Sequence, residues 1–335
     1  MKVVLLFGGR GAEHDVSLSS AAFVLPRLKT AGHTVFPVGV CRDGSILHYT
    51  GDADALSHDW QKDARALLLT LSRGKLLLAE REGECFIPDI VFSVLHGTDG
   101  EDGAWQGLFT LTRTPFVGSN ILSSALCMNK RLAKELAAAH GLPVVPYLFT
   151  HEYSEAFAAR VSHTLRYPLF VKPTSGGSSV GTSRVADPAE LKAALSLALS
   201  HDGEALVEEE IAGSELSVGV LSRGNTLLLS PPGEITTPRG FYDYAAKYEK
   251  NEAQIQIPAS LPLWETALVK QMAATLFRLF DCRDLARIDF LRRADGRIFF
   301  NEINTLPGFT AHSLFPALFA PLCVDPLIFL LEGRA

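Results

Sequence analysis

Two stretches near the C-terminus decide the fold: ARIDFLRR (286–293) and RIFFNEIN (297–304). Each stretch alternates polar and apolar residues, which is the pattern of a half-buried β-strand. The dipeptide Asp295-Gly296 between them is a common hairpin turn. The sequence therefore predicts an antiparallel hairpin with one packed face and one polar face.

Three oxygen-donor side chains fall on the polar side of this predicted hairpin. Glu302 and Asn304 share a face because strand side chains alternate, and the hairpin brings Asp289 beside them. Carboxylate and amide oxygens suit a hard cation such as Mg²⁺. The alternative is a solvated polar face, but Phe290 and Phe299 favour a well-packed strand pair. We therefore predict a divalent metal site at this position.

Upstream of the hairpin, the pattern predicts two mixed α+β units. The first unit has a strand, a glycine- and serine-rich loop, a helix and a second strand: PLFVKP (168–173), TSGGSSVG (174–181), residues 187–200 and ALVEEEI (205–211). The second unit begins with the strands ELSVGVL (215–221) and NTLLLSP (225–231) and reaches the hairpin through a helix over residues 264–280.

The first 120 or so residues alternate short apolar strands with helix-like segments, which predicts a parallel, doubly wound sheet. The predicted strands are KVVLLF (2–7), TVFPVGV (34–40), DIVFSVLHG (89–97) and TPFVGS (114–119), and the predicted helices are residues 16–30 and 105–112. LLLTLSRGKLLLAE predicts an added hairpin that turns at Arg73-Gly74, and a further helix spans residues 130–140. Residues 41–88 receive no functional assignment.

Composition and charge exclude several classes of protein. The chain has 335 residues, 47% of them hydrophobic and 20% charged, which suits two or three packed domains. A net charge of −6 argues against non-specific nucleic-acid binding. No stretch is long and apolar enough to predict a membrane span, and the N-terminus lacks the features of a signal peptide. Five widely spaced cysteines without a CxxC pair predict reduced thiols in a cytoplasmic protein.

The motifs together resemble those of ATP-grasp enzymes, and of the D-alanine–D-alanine ligases in particular, essentially from end to end. The resemblance rests on the order and spacing of four segments: KPTSGGSSVG (172–181), VEEEIAGSELSV (207–218), ARIDF (286–290) and NEINTLPGFTAHS (301–313). It implies an N-terminal α/β domain over residues 1–121 and two ATP-grasp subdomains over residues 122–211 and 212–335. It also implies ATP as co-substrate and two Mg²⁺ ions, or Mn²⁺, at the predicted metal site.

The resemblance assigns Lys130 and Lys172 to the phosphates of ATP, although either alone would pass for a solvated surface lysine. The loop containing Gly177, Ser178 and Ser179 would wrap a phosphate with its backbone N–H groups. The family often has a bulkier or acidic residue where Gly176 stands, which puts the stiffness and closure of the loop in question. The loop residues alone would also fit an ordinary flexible turn.

The remaining ATP contacts implied by the resemblance meet the adenine, the ribose and the phosphates. Glu208 and the backbone from Glu209 to Ile211 face the adenine edge, and Glu215 faces the ribose. Because only alternate side chains of a strand share a face, at least one of these glutamates is expected to be solvated. The other predicted ATP contacts are Lys247, which touches the transferred phosphate, Asn301 and Glu302.

The first D-amino acid is expected at the other end of the site. The segment GGRGAEHDVS (8–17) is not a dinucleotide fingerprint, because His14 stands where a third glycine is expected. By resemblance, Glu13 pairs with the substrate ammonium and His96 lies near its carboxylate. The alternatives are an acid at a helix N-terminus for Glu13 and a packed or capping histidine for His96.

A lid and an oxyanion site complete the implied machinery. The segment FYDYAAKYEK (241–250) would shield the intermediate from water, with an ordinary surface loop as the alternative. Tyr248 would join Glu13 and Ser178 in a hydrogen-bonded group. The residues implied for the oxyanion and for the second substrate's carboxylate are Arg287, the N–H of Gly308, Ser313 and the backbone of Leu314.

The implied reaction joins two D-alanines through an acyl phosphate, for peptidoglycan precursor synthesis in the cytoplasm. D-serine or D-lactate as second substrate, as in vancomycin-resistance ligases, is the main alternative. Tyr248 favours a dipeptide over an ester, and Ser313-Leu314 differs from the Ser-Arg pair of resistance enzymes. A non-catalytic ATP-binding regulator is a remoter alternative, which the intact charged site residues oppose. The expected partners are small D-amino acids and a second copy of the chain, with no nucleic acid and no membrane.

Overall fold

Three β-sheets organise the chain. The computed structural model describes residues 1–57, 59–72, 74–80, 85–236, 254–332 and 334. In these residues the sheets have eight, four and six strands, in that order along the sequence. Among the described residues no helix is both long and apolar enough to cross a membrane.

The N-terminal sheet contains eight strands with the spatial order β6-β5-β4-β3-β2-β1-β7-β8. Their bounds are β1 Lys2–Gly8, β2 Thr34–Val40, β3 Ile46–Tyr49, β4 Ala64–Ser72, β5 Lys75–Glu80, β6 Cys85–Phe86, β7 Ile90–Ser93 and β8 Phe116–Val117. Helices α1 (His14–Thr30) and α2 (Ala104–Leu111) and two short 3₁₀-helices (Ala53–Ser57 and Trp60–Asp63) belong to the same segment.

The predicted parallel sheet is confirmed for β2, β1, β7 and β8. Strand β1 is apolar on both faces and fully buried from Val3 onward, as a central parallel strand requires. The remaining strands add to one edge in antiparallel fashion. The predicted hairpin in residues 67–80 is confirmed by the pairing of Ser72 with Lys75, while Arg73 lies outside the described residues.

The central sheet is antiparallel, with the order β11-β10-β12-β9. Its strands are β9 Tyr147–Thr150, β10 Leu169–Pro173, β11 Ser183–Val185 and β12 Ala205–Glu209. The helices of this segment are α3 Ile121–Met128, α4 Lys130–Ala139, α5 Glu155–Thr164 and α6 Leu191–His201. The helix predicted over residues 187–200 is divided, because a 3₁₀-helix at Pro188–Glu190 precedes α6. Helices α3 and α5 were not predicted.

The third sheet has the order β16-β15-β13-β17-β18, with β14 paired to β13. Its strands are β13 Gly213–Arg223, β14 Thr226–Leu229, β15 Gly233–Thr236, β16 Gln254–Gln256, β17 Leu285–Arg293 and β18 Ile298–Asn304. The helices that follow or flank it are α7 Leu263–Leu279, α8 Leu314–Phe319, the 3₁₀-helix Ala320–Leu322 and α9 Pro326–Leu331. The predicted antiparallel hairpin is confirmed as β17 and β18.

Packing ties the three sheets together. Phe309, Phe315 and Phe319 from the C-terminal segment share one hydrophobic core with the N-terminal sheet. Ala133 and Ala137 of α4 share another core with the third sheet, and α3 contributes to the same core. Each predicted domain range contains one sheet, but this packing crosses the boundary drawn at residue 211, so the division into domains stays a prediction.

The cysteines are free thiols. Cys41, Cys127 and Cys282 are buried, whereas Cys85 and Cys323 are exposed. Although they are far apart in sequence, Cys127 Sγ and Cys282 Sγ lie 4.0 Å apart in the core that joins α3 to the third sheet.

Candidate active site

A cavity of about 750 Å³ lies where the three sheets meet. Most of the predicted site residues line it: Glu13, His96, Lys130, Lys172, Gly177, Ser178, Ser179, Glu215, Arg287, Asn301, Glu302, Asn304, Gly308, Ser313 and Leu314. Asp289, Glu208, Glu209 and Ile211 are not among its lining residues. Lys247 and Tyr248 lie outside the described residues, so the predicted lid is not described.

The predicted metal residues come together on β17 and β18. Asp289 is paired with Glu302 across the two strands, and Arg287 is paired with Asn304. Asn304 Nδ2 donates to Asp289 Oδ2 at 2.8 Å, and Ser217 Oγ donates to Asp289 Oδ1 at 2.6 Å. The tertiary structure therefore places all three predicted ligands in one cluster.

A β-bulge lies beside this cluster. The register shifts between Asp289 and Phe290, so that Asn301 on β18 has no opposite residue on β17. In a regular strand Asn301 and Glu302 would point to opposite faces, whereas a bulge re-aims the side chain at the extra position. Both residues line the cavity. Strand periodicity alone does not predict that both residues reach the cavity.

Arg287 is held by Asp289 through a forked ion pair. Its Nε donates at 2.9 and 3.0 Å and its Nη2 at 2.8 Å to the two carboxylate oxygens. Burial alone would lower the pKa of Arg287, but attraction and hydrogen bonding to Asp289 outweigh it and raise that pKa above its usual range. The guanidinium is therefore a permanent, fixed positive charge at the cavity wall.

The donor chemistry of the cluster fits a hard divalent cation. Carboxylates of Asp289 and Glu302 face each other across paired strands, and the side-chain amide of Asn304 adds an oxygen. Asp289 is fully buried, and its oxygens already accept from Arg287, Ser217 and Asn304. A metal ligated by Asp289 would therefore replace at least one of these donors. Among the described residues, no three or more His, Cys, Asp or Glu side chains form a cluster that could hold a metal. The predicted site differs from such a cluster because it has two carboxylates and its third donor is the side-chain amide of Asn304.

The glycine- and serine-rich loop is fastened to the start of α4. Lys130 N donates to Thr174 O at 2.8 Å, and Lys130 Nζ donates to Gly176 O at 2.5 Å. Ser178 and Ser179 both have positive φ, of 51° and 58°, a backbone conformation that costs energy for residues other than glycine. Burial lowers the pKa of Lys130, partly offset by Glu302. The loop is therefore held in a strained shape next to a half-buried lysine.

Glu13 meets this loop from the other side of the cavity. It is the residue before α1, but its side chain does not cap that helix. Instead its Oε1 accepts from Ser178 Oγ at 2.5 Å. A Cβ added at Gly97 would lie 2.3 Å from Glu13 Oε2, and one added at Gly177 would lie 2.8 Å from it. An added methyl at either glycine would therefore force the Glu13 carboxylate away from its present position. The two predicted partners Glu13 and Ser178 are in contact.

His96 is locked between two segments of the site. Its Nδ1 lies 3.0 Å from Leu306 O and its Nε2 lies 3.2 Å from Ser20 Oγ. Because a carbonyl oxygen only accepts, Nδ1 carries the proton and Nε2 can accept from the serine hydroxyl. Burial lowers the pKa of His96, which favours this neutral form. The structure thus gives the ring a packed position in which both nitrogens have protein partners, and its predicted contact with a substrate carboxylate stays a prediction.

Glu101 is a site residue to which the sequence assigned no role. Its two carboxylate oxygens accept from Gly97 N at 3.0 Å and from Leu306 N at 3.2 Å. Burial, together with repulsion from Glu13, raises the pKa of Glu101 to about 8. Glu101 therefore joins the loop after β7 to the loop after β18. Its only signal in the sequence is its place in HGTDGEDG (96–103), directly after the predicted strand.

The predicted adenine-edge residues have other partners in the structure. Glu208 is buried and forms ion pairs with Lys172 and with Lys134 Nζ, the latter at 3.1 Å. Glu209 Oε1 accepts from Arg166 N at 3.0 Å. Ile211 is half-buried just after β12. Lys134 was missed, although its i+4 spacing from Lys130 on α4 places both on one helix face.

The proposed second-substrate residues lie at the start of α8. Ser313 Oγ accepts from Thr310 N at 2.8 Å and lies 2.7 Å from Thr310 Oγ1. A Cβ added at Gly308 would lie 3.0 Å from Ser313 Oγ. Thr310 also lines the cavity and was not predicted. The two loop residues and Ser313 form one tight turn at this end of the site.

The three sheets, the glycine-rich loop and the acidic hairpin around one cavity define an ATP-grasp enzyme. Family models for the N-terminus and the C-terminus of D-ala D-ala ligases match residues 2–119 and 136–326. The chain belongs to the D-alanine–D-alanine ligase family, whose members are ATP-dependent ligases.

Individual relatives agree with the family models. The chain is 38% identical to the D-alanine–D-alanine ligase of Caldicellulosiruptor bescii over 95% of this chain and 90% of that protein. It is 39% identical to the corresponding ligase of Corynebacterium diphtheriae over 95% of this chain and 90% of that protein.

Two solved structures are also similar. The VanG D-Ala:D-Ser ligase of Enterococcus faecalis is 34% identical, with a TM-score of 0.89 over 100% of this chain and 99% of that chain. The D-alanine–D-alanine ligase of Coxiella burnetii is 30% identical, with a TM-score of 0.87 over 100% of this chain and 93% of that chain. The similar proteins therefore include ligases for two different second substrates.

Proposed function

We propose that the chain joins two molecules of D-alanine to D-alanyl-D-alanine, with conversion of ATP to ADP and phosphate. The observation that carries this proposal is the meeting of three groups at one cavity. Lys130 and Lys172 supply positive charge, Glu302 and Asn304 supply hard oxygen donors, and Glu13 supplies a carboxylate held by the loop. Phosphate, divalent metal and amino-acid ammonium each have a complementary partner there.

The reaction needs two displacement steps. A carboxylate oxygen of the first D-alanine attacks the γ-phosphorus of ATP, which releases ADP and forms an acyl phosphate. The amine of the second D-alanine then attacks the acyl carbon, loses a proton, and expels phosphate. Lys130 and Lys172 stabilise phosphate charge, because fixed cations in a site shielded from water lower the barrier to phosphoryl transfer.

Asp289, Glu302 and Asn304 would hold Mg²⁺ or Mn²⁺. When bound there, the cation would neutralise phosphate charge and align the reacting oxygens. Arg287, fixed by Asp289, lies on the same cavity wall and would stabilise the oxyanion that forms at the acyl carbon together with Gly308 N–H.

Glu13 would orient the first D-alanine by pairing with its ammonium. Its other contact, from Ser178 Oγ, fixes the carboxylate in the cavity. At the far end, Ser313 and the backbone of Leu314 would receive the carboxylate of the second amino acid. A closing lid that carries Lys247 and Tyr248 would complete the site. The adenosine would be contacted by Glu208, Glu209, Ile211 and Glu215. ATP would also be contacted by Ser179 and Asn301.

D-serine as the second substrate is a candidate with two supporting observations. The VanG D-Ala:D-Ser ligase is similar over the whole of this chain. Thr310 and Ser313 also place two hydroxyl groups at the predicted second-substrate end of the cavity, where they could hydrogen-bond an added hydroxyl.

We further propose that the protein acts in the cytoplasm, for peptidoglycan precursor synthesis, and as a homodimer.

Coupled ADP release with product identification by mass would test this function. The reactions contain ATP and Mg²⁺ with D-alanine alone, or with equal D-serine or D-lactate added. D-alanyl-D-alanine as the main product in every mixture is the expected result. A predominant mixed product would assign the chain to the resistance type, and nucleotide binding without turnover of any pair would favour a regulator.

A further inference from the structure

Lys134 is a buried cation that does not line the cavity. It lies on α4 with a fully buried side chain, and its ammonium is 3.1 Å from Glu208 Oε2. This contact is not aligned as a hydrogen bond, and Nζ has no hydrogen-bond acceptor among the residues that the structure describes. Burying an ammonium is costly unless a charge compensates it, so its position depends on Glu208.

Glu208 joins two lysines that lie on different elements of the central segment. Its Oε1 forms an ion pair with Lys172 of β10, and its Oε2 forms one with Lys134 of α4. Only Lys172 of these three residues lines the cavity. With two ammoniums and one carboxylate, the group keeps one net positive charge, and Lys172 is not fully neutralised by its partner.

We propose that Lys134 is a positioning residue for nucleotide binding, which acts through Glu208 to hold Lys172 at the cavity wall with part of its positive charge available to phosphate. This inference rests on the proposed use of ATP and adds a residue that touches neither nucleotide nor substrate. Lys134 forms its ion pair with Oε2 of Glu208, so that Lys172 is paired with Oε1 alone.

The charges of the three groups are consistent with this arrangement. Burial alone would raise the pKa of Glu208, but attraction to Lys134 and Lys172 outweighs it and lowers that pKa to about 2. The carboxylate is therefore ionised at neutral pH. Burial lowers the pKa of Lys134, and Glu208 counteracts the change, whereas Lys172 adds to it. Without Lys134, Glu208 would form a one-to-one pair with Lys172 and cancel its charge.

The test is the dissociation constant of ADP, measured calorimetrically on the full chain in excess MgCl₂ and without any amino acid. The variants are Lys134→Met, Glu208→Gln and the double variant, with Lys192→Met on the exposed face of α6 as the matched control. Lys134→Met is expected to weaken ADP binding at least tenfold. The double variant is expected to bind ADP within twofold of Glu208→Gln, because Lys134 then has no carboxylate through which to act, and this comparison cancels any direct contact of Glu208 with the nucleotide. The control is expected to stay within twofold of the wild type.

A structural role alone predicts a different pattern. If Lys134 only compensates a buried charge, Lys134→Met would lower the melting temperature but leave ADP affinity of the folded protein within twofold, and the proposal would be wrong. A further loss of ADP affinity of tenfold or more when Lys134→Met is added to Glu208→Gln would overturn it as well. Should Lys134→Met not fold, Glu208→Gln and the double variant must still bind ADP equally within twofold. The ADP-binding experiment contains no D-alanine. A failure to form dipeptide in the separate ligation assay would therefore refute the proposed function without changing the ADP dissociation constants measured here.

Discussion

The hydroxyl of Ser178 donates to Glu13 Oε1 at 2.5 Å and so connects residues that are 165 positions apart. The contact joins the glycine-rich loop of the central segment to the N-terminus of α1, the helix that follows strand β1 of the N-terminal sheet. Since both residues also line the cavity, the loop cannot move away from the cavity without breaking this hydrogen bond. Glu13 and the glycine-rich loop, the predicted substrate-binding acid and phosphate loop, are therefore joined by a direct contact.

We expect Glu13→Gln and Ser178→Ala each to lower kcat/KM for D-alanine by about tenfold to a hundredfold, since hydrogen bonds to charged groups contribute about 1.5–3 kcal/mol. The double variant should lose less than the product of the two single effects, because both changes remove the same contact. Steady-state rates of ADP release would be measured for the wild type, the two single variants and the double variant. Ser196→Ala is the control that should not change activity, because the Ser196 hydroxyl donates to Lys192 O within its own helix. Independent, multiplicative losses would show that the contact does not function as a unit.

Gly177→Ala should reduce activity strongly and leave the fold intact. The added methyl would lie 2.8 Å from Glu13 Oε2, so that the loop or the carboxylate must shift. A displacement of about 1 Å in a site can cost on the order of a hundredfold in rate. Gly107→Ala inside α2 is the matched control, because nothing lies within 4 Å of its added methyl. Thermal melting and kcat would be measured together, and full activity of Gly177→Ala would contradict the close packing described here.

Glu302→Gln should lower the rate of ADP formation by at least about a hundredfold, because metal-assisted charge stabilisation contributes several kcal/mol. The substitution keeps size and strand pairing but removes one carboxylate charge from the predicted metal cluster. Wild-type activity should also disappear in EDTA and return with added Mg²⁺. Asp295→Asn at the surface turn of the same hairpin should retain activity, since exposed ion pairs contribute little. Normal turnover by Glu302→Gln would remove this residue from the metal site.

Stability should fall as pH rises from about 5 to 8, because the pKa of Glu101 is raised to about 8 by burial and by Glu13. Between the ordinary carboxyl pKa and this raised value, the folded state holds a proton that the unfolded state has lost, so deprotonation favours unfolding by up to about 1.4 kcal/mol per pH unit. Glu101→Gln removes this titration. Urea denaturation at several pH values should therefore give a flatter profile for the variant, and identical slopes would show that Glu101 does not titrate in this range.

The sequence predicted those features that depend on neighbouring residues. The alternation of Ile288, Phe290, Phe300 and Ile303 with polar residues predicted the β17–β18 hairpin, and the structure confirms it. The apolar run of β1 likewise predicted a buried parallel strand. Strand alternation also brought Glu302 and Asn304 together correctly, but it missed the bulge that lets Asn301 and Glu302 line one cavity. A bulge depends on how two strands pair, which a single strand's pattern does not contain.

By itself, the sequence determined the parallel strands of the N-terminal sheet and the β17–β18 hairpin, because backbone sterics translate local periodicity directly into secondary structure. Its motifs supplied most of the candidate site residues through their resemblance to a known family. Only the tertiary structure decided that α3 and α4 pack against the third sheet, that Glu101 spans two loops, and that Lys134 reaches Glu208. These contacts join residues far apart in the chain. They depend on how buried surfaces and charges are matched when three sheets pack together, and no local pattern of residues specifies that match.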